Sequence, residues 1–259
     1  MTMKREAFRK ALAIAAFLLG STVPAFAASE AIAPGVQLFE SRRFEEARKF
    51  FEPYVAKNPR DADGTYYLGR TLFALGRFEP AAEQLEKSEK IRPSSDTLLW
   101  LGRSYGQFAM QASIFRQAGL AKKCKAAWEK AVALDPNNLN VREDLIQYYL
   151  RAPGFMGGSV KKAREQAAEI RKRDAVRGSL AAVTIHLYRK DGAAAEKELA
   201  EAIRNVPADS PASLGLFHYR LGTVYERQGN KALARTHYRK AVELDQGLKE
   251  AKEALAKLG

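Results

Sequence analysis

Arg70 and Arg103 are the residues in this sequence best placed to bind a ligand, because each directly follows a Leu-Gly pair. If the two pairs occupy equivalent places on neighbouring packed helices, the arginines lie about 10 Å apart. Two guanidinium groups at that spacing could hold an acidic side chain or a C-terminal carboxylate. Tyr66 and Phe73 would add flat apolar contact beside them. The alternative is that this position is variable and simply solvated.

The sequence contains no pattern that predicts catalysis. It has no H-E-x-x-H and no G-x-G-x-x-G. The letters G-x-S-x-G do occur over 102–106, but they overlap the Leu101-Gly102 pair and no predicted strand precedes them, as a nucleophile elbow requires. Three histidines (His186, His218 and His237) and the single cysteine, Cys124, are too few for a structural zinc site. Most acidic residues stand beside Lys or Arg, as is typical of solvated helix faces. We therefore predict a protein that is not an enzyme, with no catalytic residues, no metal site and no cofactor.

The two Leu-Gly pairs belong to a pattern with a fixed period. A second set of positions recurs at nearly the same interval, pairing Ala47, Phe51 and Pro59 with Ala81, Leu85 and Pro93. A period of about 34 residues is typical of stacked helix–turn–helix units, because one such unit cannot bury its apolar face alone. The pattern predicts an all-α chain.

The spacing within each repeat resembles the tetratricopeptide signature W-x2-L-G-x2-Y, then A-x3-F, then P. The matching residues are Leu68-Gly69-Leu72, Leu101-Gly102-Tyr105 and Leu221-Gly222-Tyr225 for the first half, and Ala81-Leu85-Pro93 and Ala234-Tyr238-Ala241 for the second. The resemblance implies an α-solenoid of about six helix–turn–helix repeats with a C-terminal capping helix. It also implies a concave groove, lined by the first helices of the repeats, that takes an extended or helical peptide.

The predicted repeat domain covers residues 28–259. Its repeats are placed at about 33–59, 61–93, 95–136, 138–174, 176–207 and 212–246, with the capping helix at 248–258. The end of the third repeat comes later in the sequence than the repeat period predicts. We therefore place an insertion within 106–123 and predict two long helices that meet near residues 117–119. In the fourth, a glycine-rich loop over 153–159 is either a longer turn with Ser159 as helix N-cap or a phosphate or carboxylate cradle.

Alignment of the repeats assigns groove residues on each first helix. They are Tyr66, Arg70 and Phe73 in the second repeat, Leu99, Arg103 and Gln107 in the third, Asn140, Glu143 and Gln147 in the fourth, and Tyr219, Thr223 and Glu226 in the sixth. The carboxylate-clamp form of these repeats uses Lys and Asn at matching places. This sequence has Arg and Gln there, so the clamp is not carried over.

Residues 1–27 read as a secretory signal peptide. Four basic residues precede an apolar run over 11–19, and Ala25-Phe26-Ala27 supplies small residues at the two positions that a signal peptidase reads. The run is shorter than the roughly 20 residues that a membrane-spanning helix requires. We expect cleavage after Ala27 and a periplasmic or secreted protein with no integral membrane span. The alternative is an uncleaved anchor.

The chain is strongly basic, with a formal net charge of +13. Removing residues 1–27 takes away four basic residues and one acidic residue, which leaves +10. This charge favours an acidic partner, and export argues against nucleic acid. Two functions stay open: a scaffold that binds a protein or peptide in its groove, and a basic envelope protein that binds anionic lipid, lipopolysaccharide or wall polymer. Cys124 aligns with Ala81, which predicts a buried and unreactive thiol.

Overall fold

A computed structural model describes residues 30–207 and 210–258. These residues form thirteen α-helices and one short 3-10 helix, with no β-strand among them. The helices are α1 (Ala33–Glu40), α2 (Phe44–Lys57), α3 (Ala62–Ala74), α4 (Phe78–Ile91), α5 (Ser95–Gln111), α6 (Ile114–Leu134), α7 (Leu139–Arg151), α8 (Val160–Arg171), α9 (Ala175–Tyr188), α10 (Gly192–Asn205), α11 (Pro211–Arg227), α12 (Lys231–Leu244) and α13 (Lys249–Lys257). The all-α repeat fold is confirmed. The predicted signal peptide lies outside the described residues.

The chain divides into two compact units, the first ending at Ile91 and the second starting at Arg92. In the N-terminal unit, α1 to α4 pack around aromatic side chains. The Phe51 and Tyr67 rings stack with centroids 5.8 Å apart, and Phe39 meets Tyr67 edge-on at 5.9 Å. Asp61 caps α3 by accepting hydrogen bonds from two backbone N–H groups of its first turn. Helix α3 is thereby fixed at its N-terminus as well as through its rings.

In the C-terminal unit, each helix from α5 to α13 packs against its neighbours in the chain. The first helices of successive repeats, α7, α9 and α11, also contact one another in that order. Part of the core between α9, α10 and α11 is formed by Val183, Leu199 and Phe217. The last helix packs on α12 and buries Ala251, which is the role expected of the capping helix.

The glycine of each Leu-Gly pair allows two helices to approach closely. A Cβ atom on Gly69 would lie 2.6 Å from Leu85 Cγ, and one on Gly102 would lie 2.3 Å from Trp128 Nε1. Neither distance leaves room for a methyl group. Trp128 also donates its indole N–H to the backbone oxygen of Leu99 at 3.0 Å. A glycine inside a helix costs roughly 1 kcal/mol relative to alanine, and the close packing explains its presence.

The third repeat contains two long helices, α5 with 17 residues and α6 with 21. They meet at Ala112 and Ser113, which both have extended backbone dihedrals, and not near 117–119 as the sequence suggested. Gly119 instead lies inside α6, with nothing within 4 Å of the place where its Cβ would be. A glycine that ordinarily indicates a turn is therefore tolerated here on an open helix face.

The glycine-rich segment is an inter-helix turn. Residues Gly154–Met156 form the 3-10 helix. Ser159 Oγ accepts a hydrogen bond from the backbone N–H of Lys162 and caps α8. Tyr148 donates its hydroxyl to the backbone oxygen of Met156 at 2.9 Å, which fastens the loop to α7. These contacts agree with the simpler of the two expectations, a long turn with a serine N-cap.

Candidate peptide-binding groove

An open depression of about 330 Å³ lies between the first helices α7, α9 and α11 of the C-terminal unit. Each of the three helices contributes one face, because residues three or four positions apart point the same way. The lining residues are Glu143, Asp144, Ile146 and Gln147 from α7, Leu180, Ala181, Thr184 and Arg177 from α9, and Arg220 from α11.

Ion pairs between successive first helices fix the acidic side of this groove. Arg103 of α5 donates to Asp144 Oδ2 at 2.6 Å, and Arg177 of α9 donates to Glu143 Oε1 at 2.8 Å. Arg177 also donates to Asn140 Oδ1 at 2.8 Å. The second arginine thus holds two side chains of α7 at once. The groove therefore presents polar groups that are already ordered before any partner arrives.

Burial affects the protonation of these groups. Burial raises the pKa of the Asp144 carboxyl, and the hydrogen bond from Arg103 opposes that rise. The hydrogen bond to Glu143 raises the pKa of the Arg177 guanidinium above its ordinary value. Arg177 therefore remains a cation throughout the physiological range and stays paired with the Glu143 carboxylate.

The predicted groove residues of the C-terminal unit take different places. Gln147 lines the groove, Arg103 holds the lining residue Asp144, and Asn140 accepts from Arg177. Gln107 is exposed near the end of α5. The sequence places Leu99 on the open wall, whereas the structure buries it. The physical reason is that nine residues of α5 are buried, so little of this helix is left to form an open wall.

The three predicted residues of the N-terminal unit all make aromatic contacts. The guanidinium carbon of Arg70 lies 4.6 Å from the Phe39 ring centroid and 5.4 Å from that of Tyr66. Tyr66 was expected to face an open groove, but the structure buries it. The reason is that most residues of α3 are buried. Phe73 packs edge-on against Phe78 at 5.2 Å. Arg70 and Arg103 belong to different units, and a joint carboxylate site for them stays a prediction.

Sequence reasoning missed Asp144, Arg177, Thr184 and Arg220. The fifth repeat has no Leu-Gly pair, so the alignment gave no groove positions on α9. The available signal was the spacing of Arg177, Leu180 and Thr184, which places them on one helical face. Arg220 directly precedes the Leu-Gly pair of the sixth repeat, one position from the predicted Tyr219.

The structure also brings together two histidines that the sequence analysis treated as separate helix-face residues. The Nδ1 atoms of His218 and His237 lie 3.0 Å apart, within hydrogen-bond distance. The Tyr225 ring stacks on the His237 ring at 5.4 Å. Burial lowers the pKa of both imidazoles. The pair therefore favours the neutral form, in which one ring donates and the other accepts.

A metal site and a reactive thiol were not expected, and the described residues contain no group of three or more His, Cys, Asp or Glu placed to hold a metal ion. Cys124 is buried in α6, and burial raises the pKa of its thiol far above the ordinary value. A thiol that stays protonated is a poor nucleophile. The described helices also include none with the length and apolar character needed to cross a membrane.

Comparison with known proteins identifies the repeats. Tetratricopeptide repeat models match residues 35–96 and 215–248, so the chain carries tetratricopeptide repeats. Repeats of this family generally form non-enzymatic scaffolds that bind other proteins. The chain is 31% identical over 120 residues to the Hsp70-Hsp90 organizing protein of Triticum aestivum, covering 46% of this chain and 19% of that protein. It thus spans about a fifth of that relative.

Two solved structures share the fold. A tetratricopeptide repeat protein from Parabacteroides merdae is 14% identical, with 86% of this chain and 80% of that one covered and a TM-score of 0.58. The C-terminal part of a TPR repeat-containing protein from Cytophaga hutchinsonii is also 14% identical, with 87% and 83% covered and a TM-score of 0.58. At this identity, the likeness concerns the fold alone.

Proposed function

We propose that this chain is a non-enzymatic adaptor of the bacterial periplasm, or a secreted one, that binds a peptide or helix of a partner protein between α7, α9 and α11. The observation that carries the proposal is the open groove with its ordered ion pairs. Polar groups that are fixed in advance lose little side-chain entropy when a partner binds.

The lining of the groove suits a peptide chain. Leu180 is half-buried and supplies apolar surface, with the buried Ile146 and Ala181 beneath it. Gln147 and Thr184 supply hydrogen-bonding groups beside it. A small molecule that binds tightly is usually enclosed over most of its surface, whereas this depression is open. An open trough with mixed lining instead accommodates a chain that enters at one side and leaves at the other.

The charge of the lining favours an acidic segment in the partner. Glu143 and Asp144 are already paired with arginines from neighbouring helices. Arg220 brings a further cation to the α11 side. An acidic side chain of the peptide would bind Arg220, because a guanidinium can hold a carboxylate through two parallel hydrogen bonds.

Site-specific photo-crosslinking in intact cells tests the groove. A photoreactive residue replaces Gln147 or Thr184 in the groove and, as a matched control, Lys197 on the exposed face of the second helix α10. We expect a discrete protein adduct from the two groove positions only. Adding Arg220→Glu should abolish the adduct without changing the helical circular dichroism signal. Equal adducts from Lys197, or an adduct that survives the charge reversal, would contradict the proposal.

The proposed export is tested separately. The mass of the purified protein should correspond to a chain that begins at Ala28, and fractionation should place it with periplasmic or secreted markers. A variant with Ala25→Leu and Ala27→Leu removes the small residues read by the peptidase and should keep its N-terminal segment. An unprocessed cytoplasmic wild type would rule out export and leave the groove proposal standing.

A further inference from the structure

The helix pair α5–α6 ends in large apolar side chains that face solvent. Met110, near the end of α5, is 78% exposed, and Phe115, at the start of α6, is 94% exposed. They lie on either side of the Ala112–Ser113 turn, at the end of the pair where α5 joins α6; we call this the far end of the pair. Phe155, in the glycine-rich turn after α7, is 89% exposed. Single exposed apolar residues are common on soluble proteins, so their surroundings decide what they indicate.

The stretches of chain that carry these three side chains are basic and contain no acidic residue. Residues 97–128 contain no Asp or Glu, and residues 145–164 contain none either. The whole chain has 30 acidic residues in 259, about one in nine, so two acid-free stretches of this length are unusual for it. The basic residues of the two stretches are Arg103, Arg116, Lys122, Lys123, Lys125, Arg151, Lys161, Lys162 and Arg164.

The fold joins the two acid-free stretches. The 3-10 turn that carries Phe155 packs on α6. A Cβ on Gly157 would lie 3.0 Å from Lys125 Nζ, so that lysine reaches the turn. Nearer the far end, the Arg116 guanidinium lies 4.6 Å from the Phe108 ring centroid. We call this region the basic apolar tip and define it as Met110, Phe115, Arg116, Lys122, Lys125 and Phe155.

We propose that the basic apolar tip docks on an anionic phospholipid bilayer. Phe115 and Met110 enter the interfacial layer, and the lysines contact lipid phosphates. Each Lys or Arg near an anionic surface contributes about 1 kcal/mol, and apolar side chains add to that by burial at the headgroup boundary. The absence of Asp and Glu from both stretches removes the repulsion that an anionic surface would otherwise meet.

The shape of the tip favours a bilayer over a protein partner. A stable protein–protein interface buries about 800 Å² on each side, which requires a broad and complementary surface. The tip instead presents separate protruding side chains, two at the end of the α5–α6 pair and one on the turn after α7. A fluid lipid interface accepts such side chains one at a time, because lipids rearrange around them. Binding at the tip is also distinct from the peptide groove, since the two share no residue.

Fluorescence quenching by brominated lipids tests insertion directly. Phe115→Trp places a fluorophore at the tip, and Tyr188→Trp provides a matched control at a position of α9 that is 51% exposed. The signal of the wild type, which contains Trp100 and Trp128, is subtracted. We expect quenching of Phe115→Trp alone, with vesicles of phosphatidylglycerol and phosphatidylcholine. Quenching in both variants or in neither, or equal quenching with phosphatidylcholine alone, would overturn the proposal.

Cosedimentation with the same vesicles tests the charge. Lys122→Gln with Lys125→Gln should weaken binding at least about tenfold, since two basic contacts are lost. The matched variant Lys249→Gln with Lys252→Gln removes the same charge from the exposed face of α13 and should bind as the wild type does. Any contribution of residues 1–27 is common to all variants. Equal weakening in both variants would show binding by net charge alone and would overturn the proposal.

Discussion

The third and sixth helix pairs are built on the same anchor and differ in what extends beyond it. In both, the glycine of a Leu-Gly pair lies against a large ring from the second helix: Gly102 against Trp128, and Gly222 against Tyr238. The first helices, α5 and α11, both have 17 residues. The second helices differ, with 21 residues in α6 and 14 in α12.

The position of the anchor within each second helix locates the extra length. Trp128 lies about four helical turns after the start of α6, whereas Tyr238 lies about two turns after the start of α12. The third pair is therefore a regular pair with added turns at the end that carries Met110 and Phe115. The close approach at the glycine is common to both pairs, whereas the length beyond it differs. We therefore expect the anchor to carry stability and the added turns to tolerate substitution.

The largest effect is expected from the anchor glycines. Gly102→Ala and Gly222→Ala each place a methyl group less than 3 Å from a buried ring, and overpacking of this kind costs about 1–3 kcal/mol. Gly119→Ala is the matched control, because it lies in the same helix pair with open space around it, and it should stabilise by up to about 1 kcal/mol. Urea unfolding followed by circular dichroism measures all three. Equal effects at Gly102 and Gly119 would contradict the anchor.

Trp128→Phe is expected to cost slightly less than the glycine substitutions. The change removes the indole donor to the backbone oxygen of Leu99, which keeps its hydrogen bond within α5, and a hydrogen bond of this kind contributes about 0.5–1.5 kcal/mol net. Tyr238→Phe, the equivalent change in the sixth pair, frees Glu226, which is partly exposed and can bind water. Tyr238→Phe should therefore unfold at a higher urea concentration than Trp128→Phe. The reverse order would show that the two anchors are not equivalent.

Acid should lower the stability of the sixth helix pair, which contains His218 and His237, whereas the third pair contains no histidine. Burial lowers the pKa of His218 and His237, with Lys240 adding to the effect on His218 and Glu196 opposing it on His237. The unfolded chain, with histidine pKa values near 6.5, then binds more protons than the folded one. Their contribution to stability is thus present above that value and is lost as the pH falls through it.

The melting temperature should therefore fall between about pH 7.5 and about pH 5.5. His237→Gln should flatten that dependence, because it removes one titrating ring and the hydrogen bond between the two rings. Arg239→Gln, an exposed neighbour on the same helix, serves as control and should retain the wild-type slope. An unchanged slope in His237→Gln would show that the histidine pair is not coupled to folding.

The smallest effect is expected at the tip of the third pair. Phe115→Ser alters a side chain that is 94% exposed, and exposed substitutions usually change stability by less than about 0.5 kcal/mol. The same variant should lose vesicle binding. A large loss of stability would show that Phe115 belongs to the core and would remove the contrast between the two helix pairs.

Local spacing was sufficient to predict most of the architecture. The fixed repeat period predicts the helix pairs, the Leu-Gly pairs predict the close approach at Gly69, and the late closing of the third repeat predicts its long helices. Ser159 was identified as a cap from its place before α8. The turn at Ala112–Ser113 was misplaced because Gly119 carried the stronger turn signal, although its helix face is open.

The sequence by itself determined which residues lie on which face of a helix, since that depends only on a period of about 3.6 residues. The tertiary structure alone decided which of them meet. Arg103 pairs with Asp144 on another helix, and His218 meets His237 across two helices. Such contacts depend on the offset and rotation of whole helices, and these are set by the packing of many side chains together and not by any local pattern.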